Sequence, residues 1–501
     1  MTVIKKNIAA NFAGNIWQAL MGLAFVPLYI KFMGVEAYGL IGIFATLLGL
    51  FALLDMGLGA TLTREMARLS ALPGREQEMR DLVRSLETIY WGIAVLIGLI
   101  VMVIAPFLAN NWVKASKLSP EAIEQAIRIM GFAMALQWPA SFYTGGLMGI
   151  QKQVLLNFIT SGMSTLRGAG AVLILWLVSP TVQAYFSWQI VISMMNTGLL
   201  AFSLWRNLPR SGKNAVFNKT LLAGVWRFAA GMTGISILST ALTQVDKVIL
   251  SRMLSLEMFG YYSLVGLVAM TIYRITGPVF SAVYPKLTQL SAIADRDGLI
   301  LLYHKSCQLM SVLILPFAVM VALFSYEIML LWTRNPATAE NCRLLLSVVI
   351  AGTALNGLMH IPYALQLAHA WTKLSLYVNL ISVFILVPLI VYLTRHYGAV
   401  GGASAWVILN AGYVLVSTPV MYKYLLPTEK WRWYREDVGV PLSVSLITAG
   451  LGRLFLPKEL QPLALALYLA FVSAATLGLA AMATATTRTW VLGKLSSPRT
   501  A

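Results

Sequence analysis

Polar positions along the chain are sparse and bunched, and between the bunches lie fourteen apolar stretches of about 20 residues each. A helix of that length is what crossing about 30 Å of hydrocarbon requires, so each stretch predicts a membrane-spanning helix. The predicted spans are Ile8 to Ile30, Tyr38 to Leu62, Leu86 to Ala109, Ala122 to Met148, Val154 to Val178, Val182 to Trp205 and Leu221 to Val245. They continue with Phe259 to Tyr284, Cys307 to Leu331, Leu344 to Leu367, Leu374 to Thr394, Gly401 to Tyr424, Val438 to Leu456 and Leu460 to Met482. The first follows a basic start, MTVIKK, but its apolar run is too long for a signal peptide and lacks a clear cleavage site, so it reads as a span.

An even number of crossings returns both termini to one side. The connections richest in Lys and Arg, Arg64 to Glu87, Arg206 to Lys219 and Lys423 to Arg435, all fall on that side with the termini, which the positive-inside bias marks as cytoplasmic. Composition agrees with a bilayer as solvent: 58% of the 501 residues are hydrophobic and 11% charged, less than half the charge of an ordinary soluble chain. A net charge of +18 would point to nucleic acid in a soluble protein, but here the loops that set orientation absorb it.

Few enzymatic readings survive. Gly212-Lys213 lacks the rest of a phosphate-binding loop, neither HExxH nor GxSxG occurs, and Cys307 and Cys342 form no CxxC. His304, His360, His369 and His396 are too dispersed in sequence to indicate a metal site. The expectation is a protein without catalytic residues, metal or cofactor.

Shifting the chain by 221 residues places FMGVEAYG (Phe32 to Gly39) on MLSLEMFG (Met253 to Gly260) and RLSA (Arg68 to Ala71) on QLSA (Gln289 to Ala292), in one register. Six spans separate the repeated elements. The two halves would therefore have the same orientation, related by an axis along the membrane normal, as in some transporters. The division is 1–219 for the first six-helix bundle, 220–425 for the second and 426–501 for two further spans.

The 6 + 6 arrangement with two trailing helices, LLDMGLGATLTREMARLS after the second span and VDKVILSRMLSLEMFGYYSL at the seventh and eighth resemble the polysaccharide transporters. These include the bacterial O-antigen flippases, within the superfamily of multidrug and toxin extrusion proteins and lipid II flippases. The resemblance implies an all-α, V-shaped fold of two pseudo-symmetric bundles in the bacterial inner membrane. It also implies movement of a polyprenyl-diphosphate-linked oligosaccharide from the inner to the outer leaflet by alternating access. Implied partners are that substrate, membrane lipids, and a polysaccharide polymerase with its chain-length machinery.

Ionisable groups at mid-membrane depth cost about 2.5–3.5 kcal/mol each on insertion scales and default to functional hypotheses. Arg167, in SGMSTLRGAGAV, and Arg274, in VAMTIYRITGPV, fall near the middles of the fifth and eighth spans among small and polar neighbours, one in each half. Guanidinium forks match diphosphate oxygens, so the two would offer a cationic cavity to an anionic head group; the alternative is that each locks helix packing. Lys247 and Arg128 are lesser candidates for that cavity, and both can snorkel to the interface. Asp246, Asp55 and His360 are candidates for ion coupling or gating, each weighed against a packing role, and Pro278 is the candidate hinge, since bending there would move Arg274.

Coupling to H+ or Na+ is open rather than required. Carrying about two negative charges outward from a negative interior gains about 4–5 kcal/mol per 100 mV. A cation-coupled multidrug exporter of the same fold is the second reading, and would favour an acidic, aromatic cavity over two arginines. A membrane-embedded polymerase or glycosyltransferase is the third, disfavoured because the longest outer loop, around Asn110 to Glu121, has about a dozen residues.

Overall fold

A computed structural model of the chain describes residues 3–55, 57–70, 72–457, 460–485 and 487–488. The described residues form helices without strands and divide into two compact units, Met1–Gly260 and Tyr261–Ala501. The first contains α1 (Val3–Ala24), α2 (Val26–Phe51), α3 (Leu58–Ser70), α4 (Glu76–Phe107), α5 (Pro120–Gln137), α6 (Ala140–Gly149), α7 (Gln153–Leu177), α8 (Val182–Asn207) and α9 (Lys219–Met253). After α10 (Leu256–Ala269), which crosses the boundary, the second holds α11 (Thr271–Ala292), α12 (Arg296–Leu323), α13 (Ser325–Thr333), α14 (Pro336–Leu358), α15 (His360–Ala368) and α16 (Thr372–Gly412). It ends with α17 (Thr418–Leu425), α18 (Lys430–Arg432), α19 (Val440–Leu454) and α20 (Pro462–Ala483).

Starts are set by short polar side chains that accept from otherwise orphaned amides: Ser119 for α5, Thr181 for α8, Asn218 for α9, Asp295 for α12 and Asn335 for α14. Pro120 and Pro336 follow two of these caps, where a missing N–H costs nothing. Outward faces carry Val103, Phe158, Trp176, Phe202, Phe384 and Phe471, all more than half exposed, the inverse of a water-soluble surface. Nine stretches among the described residues are long and apolar enough to cross a membrane. One of them, Leu376–Leu425, takes in nearly all of the eleventh predicted span and all of the twelfth, which join at Gly398 with φ of 61°.

Several predicted spans prove to be broken helices. The second, read as one helix to Leu62, ends at Phe51, passes through a 3-10 turn at Ala52–Asp55 and restarts at Leu58, because Gly57 adopts φ of 70°. The fourth breaks at Pro139, between α5 and α6. The eighth breaks at Met270, so Arg274 stands in the first turn of α11 rather than in mid-helix. Helix α9 runs to Met253, which puts Asp246 and Lys247 about two turns inside it rather than at its end.

The internal order of packing repeats between the units. In the first, α4 packs on α5, α5 on α8, and α3 on α6; in the second, α12 packs on α14, α14 on α16, and α11 on α15. Adding 221 to the break at Pro139 gives residue 360, where α15 begins after the break that ends α14. At this break the shift of 221 found in two short sequence matches recurs.

Helices α19 and α20 lie outside that repeat and pack on each other and on α12. Val319, Met320 and Phe324 meet Ala449, Leu465, Leu469 and Val472 there. Beside this cluster Arg453 Nη1 donates to Glu327 Oε1 at 2.5 Å and its guanidinium lies over the Phe324 ring, 5.6 Å from the centroid. With Arg453 about a third exposed, solvent screens the pair, and Glu327→Ala is expected to cost about 1 kcal/mol. The thermal midpoint of protein in lipid nanodiscs reads this; a midpoint equal to wild type would show that the apolar cluster alone holds the pair.

Candidate functional site

In the first unit the site is built around Arg167. Helix α7 carries it between the last residue of α5 and the first third of α8, and its Nη1 donates to Gln137 Oε1 at 3.1 Å and to Gln189 Oε1 at 3.2 Å. Ser193 Oγ also reaches Gln137 Oε1, at 3.5 Å. The backbone beside the arginine is fixed as well: Trp188 Nε1 donates to the Arg167 carbonyl at 3.2 Å and the Tyr29 hydroxyl to the Gly168 carbonyl at 3.4 Å. Tyr29 and Tyr185 close the group edge to face, 5.2 Å apart.

Among the described residues no ion pair includes Arg167. Two neutral amides orient the guanidinium without cancelling its charge, which an arginine retains in a protein interior. Arg167 stands out in the sequence, and Gln137, Trp188 and Gln189 do not. Their signal was an amide or indole donor interrupting an apolar run, as in ALQWP and FSWQIV.

In the second unit Arg274 is exposed in the first turn of α11. Its neighbour Tyr273 donates to Asn356 Oδ1 at 3.1 Å, and Asn356 Nδ2 donates to Asn410 Oδ1 at 2.8 Å, joining α11, α14 and α16. Asn356 also lines a cavity of about 240 Å³ with His360, Tyr363, Gln366, Asn379 and Tyr413. His360 Nδ1 faces the carbonyls of Asn356 and Gly357, both at 3.2 Å, and its ring lies near those of Tyr273 and Phe280. Beside Met359 and Val378, the polar part of this lining is amide, phenol, hydroxyl and imidazole, groups that donate and accept without a fixed charge. Pro278 sits inside α11, where it has no N–H to give the Arg274 carbonyl one turn back.

The other candidates are dispersed. Asp55 accepts from the Tyr90 hydroxyl and, at 3.4 Å, from the Gly59 amide, tying the 3-10 turn to α4 and to the first turn of α3. Lys247 Nζ donates to the Thr243 carbonyl and to Gln244 Oε1 on its own helix, and Asp246 beside it is half-buried. Arg128 is exposed and pairs with Glu124 at 2.5 Å, one turn away on α5.

Lipid-facing helices, short connections and polar groups fixed inside the bundles define a multi-pass membrane protein. A family model described as polysaccharide biosynthesis protein matches residues 4–291, more than half of the chain, and the chain belongs to that family. It is 23% identical over 417 residues to the "Putative O-antigen transporter" of Shigella flexneri, covering 82% of this chain and 96% of that protein. Among solved structures it is similar to the lipid II flippase MurJ in an inward closed conformation, with a TM-score of 0.67, 16% identity, and 98% and 99% of the two chains covered. An inward-facing multidrug resistance MATE family transporter of the MOP superfamily follows, with a TM-score of 0.62, 14% identity, and 83% and 94% covered. At these identities the structural likeness speaks for the fold.

Proposed function

We propose that the protein is a flippase that moves a polyprenyl-diphosphate-linked oligosaccharide from the cytoplasmic to the outer leaflet of the bacterial inner membrane, with both termini in the cytoplasm. The observation that carries this reading is Arg167, a cation held inside a helical bundle by two neutral amides and so still able to meet an anion. The uncharged cavity lined by Asn356, Gln366, Asn379 and Tyr413 suits hydroxyl-rich sugar, whose groups need both donors and acceptors. A carrier of cationic drugs would instead place a carboxylate at such a point. Membrane potential can drive the outward step on a diphosphate without a coupling ion, so H+ or Na+ antiport is an addition to this reading and not a condition of it.

The test is transport by purified protein in proteoliposomes, with a fluorescent diphosphate-linked oligosaccharide in one set and a cationic dye in the other. Flipping of the first and not the second is expected; the reverse would overturn the proposal. In the same assay Arg274→Ala should lower flipping about tenfold and Arg274→Lys should recover part of it, since an ammonium keeps the charge but not the fork. Wild-type flipping by the alanine variant would remove Arg274 from the substrate path.

A further inference from the structure

His304 lies on α12, only 2% exposed, in a position the transport reading does not use. Its Nδ1 is 2.5 Å from Asp437 Oδ2 and its Nε2 is 3.0 Å from Glu429 Oε2. Asp437 is fully buried in the π-helical stretch Trp433–Gly439 that runs into α19, and Gln308 Nε2 donates to its other oxygen at 3.0 Å. Glu429 sits in the connection between α17 and α18, where Thr428 donates to Oε1 at 3.0 Å and Arg432 lies 3.5 Å from Oε2. Arg432 is shared with Glu436, at 3.3 Å. The remaining titratable groups packed around the ring are Tyr303 and Cys307 of α12 and Tyr422 of α17. The two tyrosine hydroxyls bond each other at 2.6 Å, and Trp433 covers the group from the α19 side.

Counting hydrogens gives the cluster its meaning. Each nitrogen–oxygen contact needs one hydrogen, an ionised carboxylate supplies none, and a neutral imidazole supplies one. The observed geometry therefore holds one proton more than a neutral imidazole and two carboxylates do. We propose that His304, Asp437 and Glu429 form a one-proton binding site that fastens the connection ahead of α19 to α12 when loaded and releases Glu429 when empty.

The environment says which half keeps the proton. Burial raises the Asp437 carboxyl above the usual range, with only partial offset from His304 and Gln308. At Glu429 burial also pushes upward, but bonds from Thr428, His304 and Arg432 outweigh it and hold the carboxyl below its ordinary value. The shorter contact, 2.5 Å, places the extra proton between His304 Nδ1 and Asp437 Oδ2, and Glu429 accepts from Nε2. As pH rises and that proton leaves, fully buried Asp437 needs the one remaining ring hydrogen. The Nε2 lone pair then faces an ionised Glu429, which turns to Arg432 and water.

This goes beyond the flippase reading and does not depend on it. The helices governed by the site, α19 and α20, are the pair outside the repeated bundles, so loading a proton sets how firmly that pair's entry is held.

Hydrogen–deuterium exchange of the full-length protein in lipid nanodiscs tests it over residues 426–437, corrected for the intrinsic pH dependence of exchange. Wild-type protection should fall about tenfold between mildly acidic and mildly alkaline conditions, the effect of losing one charge-assisted contact. Glu429→Gln should remain protected at both, because an amide can either accept from Nε2–H or donate to its lone pair and no extra proton is needed. His304→Phe should be unprotected at both. Wild-type protection that does not change with pH would overturn the proposal, as would a Glu429→Gln protein that keeps the wild-type pH response.

Discussion

Arg167→Ala is expected to lower flipping of a diphosphate-linked oligosaccharide about a hundredfold while leaving the protein folded, a loss in the range found when one member of a desolvated charge pair is removed. The reasoning starts from the partners. Gln137 and Gln189 give the guanidinium direction and leave its charge uncompensated, so its removal takes away substrate attraction and little packing. Arg167→Lys should retain more activity than alanine, but not wild-type activity, because an ammonium cannot present two parallel donors to a diphosphate. Initial flipping rates in proteoliposomes, measured beside thermal midpoints, separate this from a packing role. If Arg167 only braces α5 against α8, the midpoint and the rate fall together, and lengthening the apolar side chain to Met restores both.

Gly149→Leu should strongly destabilise the first unit. A Cβ at Gly149 would stand 2.7 Å from both the Thr63 carbonyl oxygen and Met66 Cβ, and one at Gly145 would stand 2.8 Å from the Gly59 carbonyl oxygen. These approaches make a seam between α3 and α6, closed by the Thr63 hydroxyl donating to the Gly145 carbonyl at 3.0 Å. In a bilayer helices gain little from burying apolar surface, and close backbone approach through small residues supplies much of their association. A leucine there must push one helix away, for a cost of about 3 kcal/mol or more. Gly198→Leu is the control, since nothing lies within 4 Å of its added Cβ. Equal thermal midpoints for the two variants would refute the seam.

Hydropathy finds the nine stretches long and apolar enough to cross a membrane among the described residues because a span is a sum over about 20 residues, and a single exception hardly changes such a sum. What it missed turns on one residue at a time. The interruption at Gly57 is a single backbone dihedral inside an apolar run, and the break at Met270 has no distinctive residue to announce it. Arg167 was legible because a charge in an apolar run is costly wherever it points. Gln137 and Gln189 were not, because an amide there is cheaper and acquires meaning only from what it faces. The His304 cluster was further out of reach: its carboxylates lie 125 and 133 residues away in sequence, and only the fold makes them neighbours. The repeat fell between these cases, with two short matches fixing a register that recurs at the break where α15 begins.

Helix α4 presents Gln77, Asp81 and Ser85 at successive turns, and each holds the strand of chain between α8 and α9. Gln77 Nε2 donates to the Asn214 carbonyl, Asp81 Oδ1 accepts from the Val216 amide, and Ser85 Oγ accepts from the Asn218 amide. Asn218 is itself the cap that starts α9. The linker that a gene duplication would leave between two copies is thus no slack cord whose length merely sets how often its ends meet. It is a hem sewn to α4 at one-turn intervals, so the point where the next helix begins is set by α4.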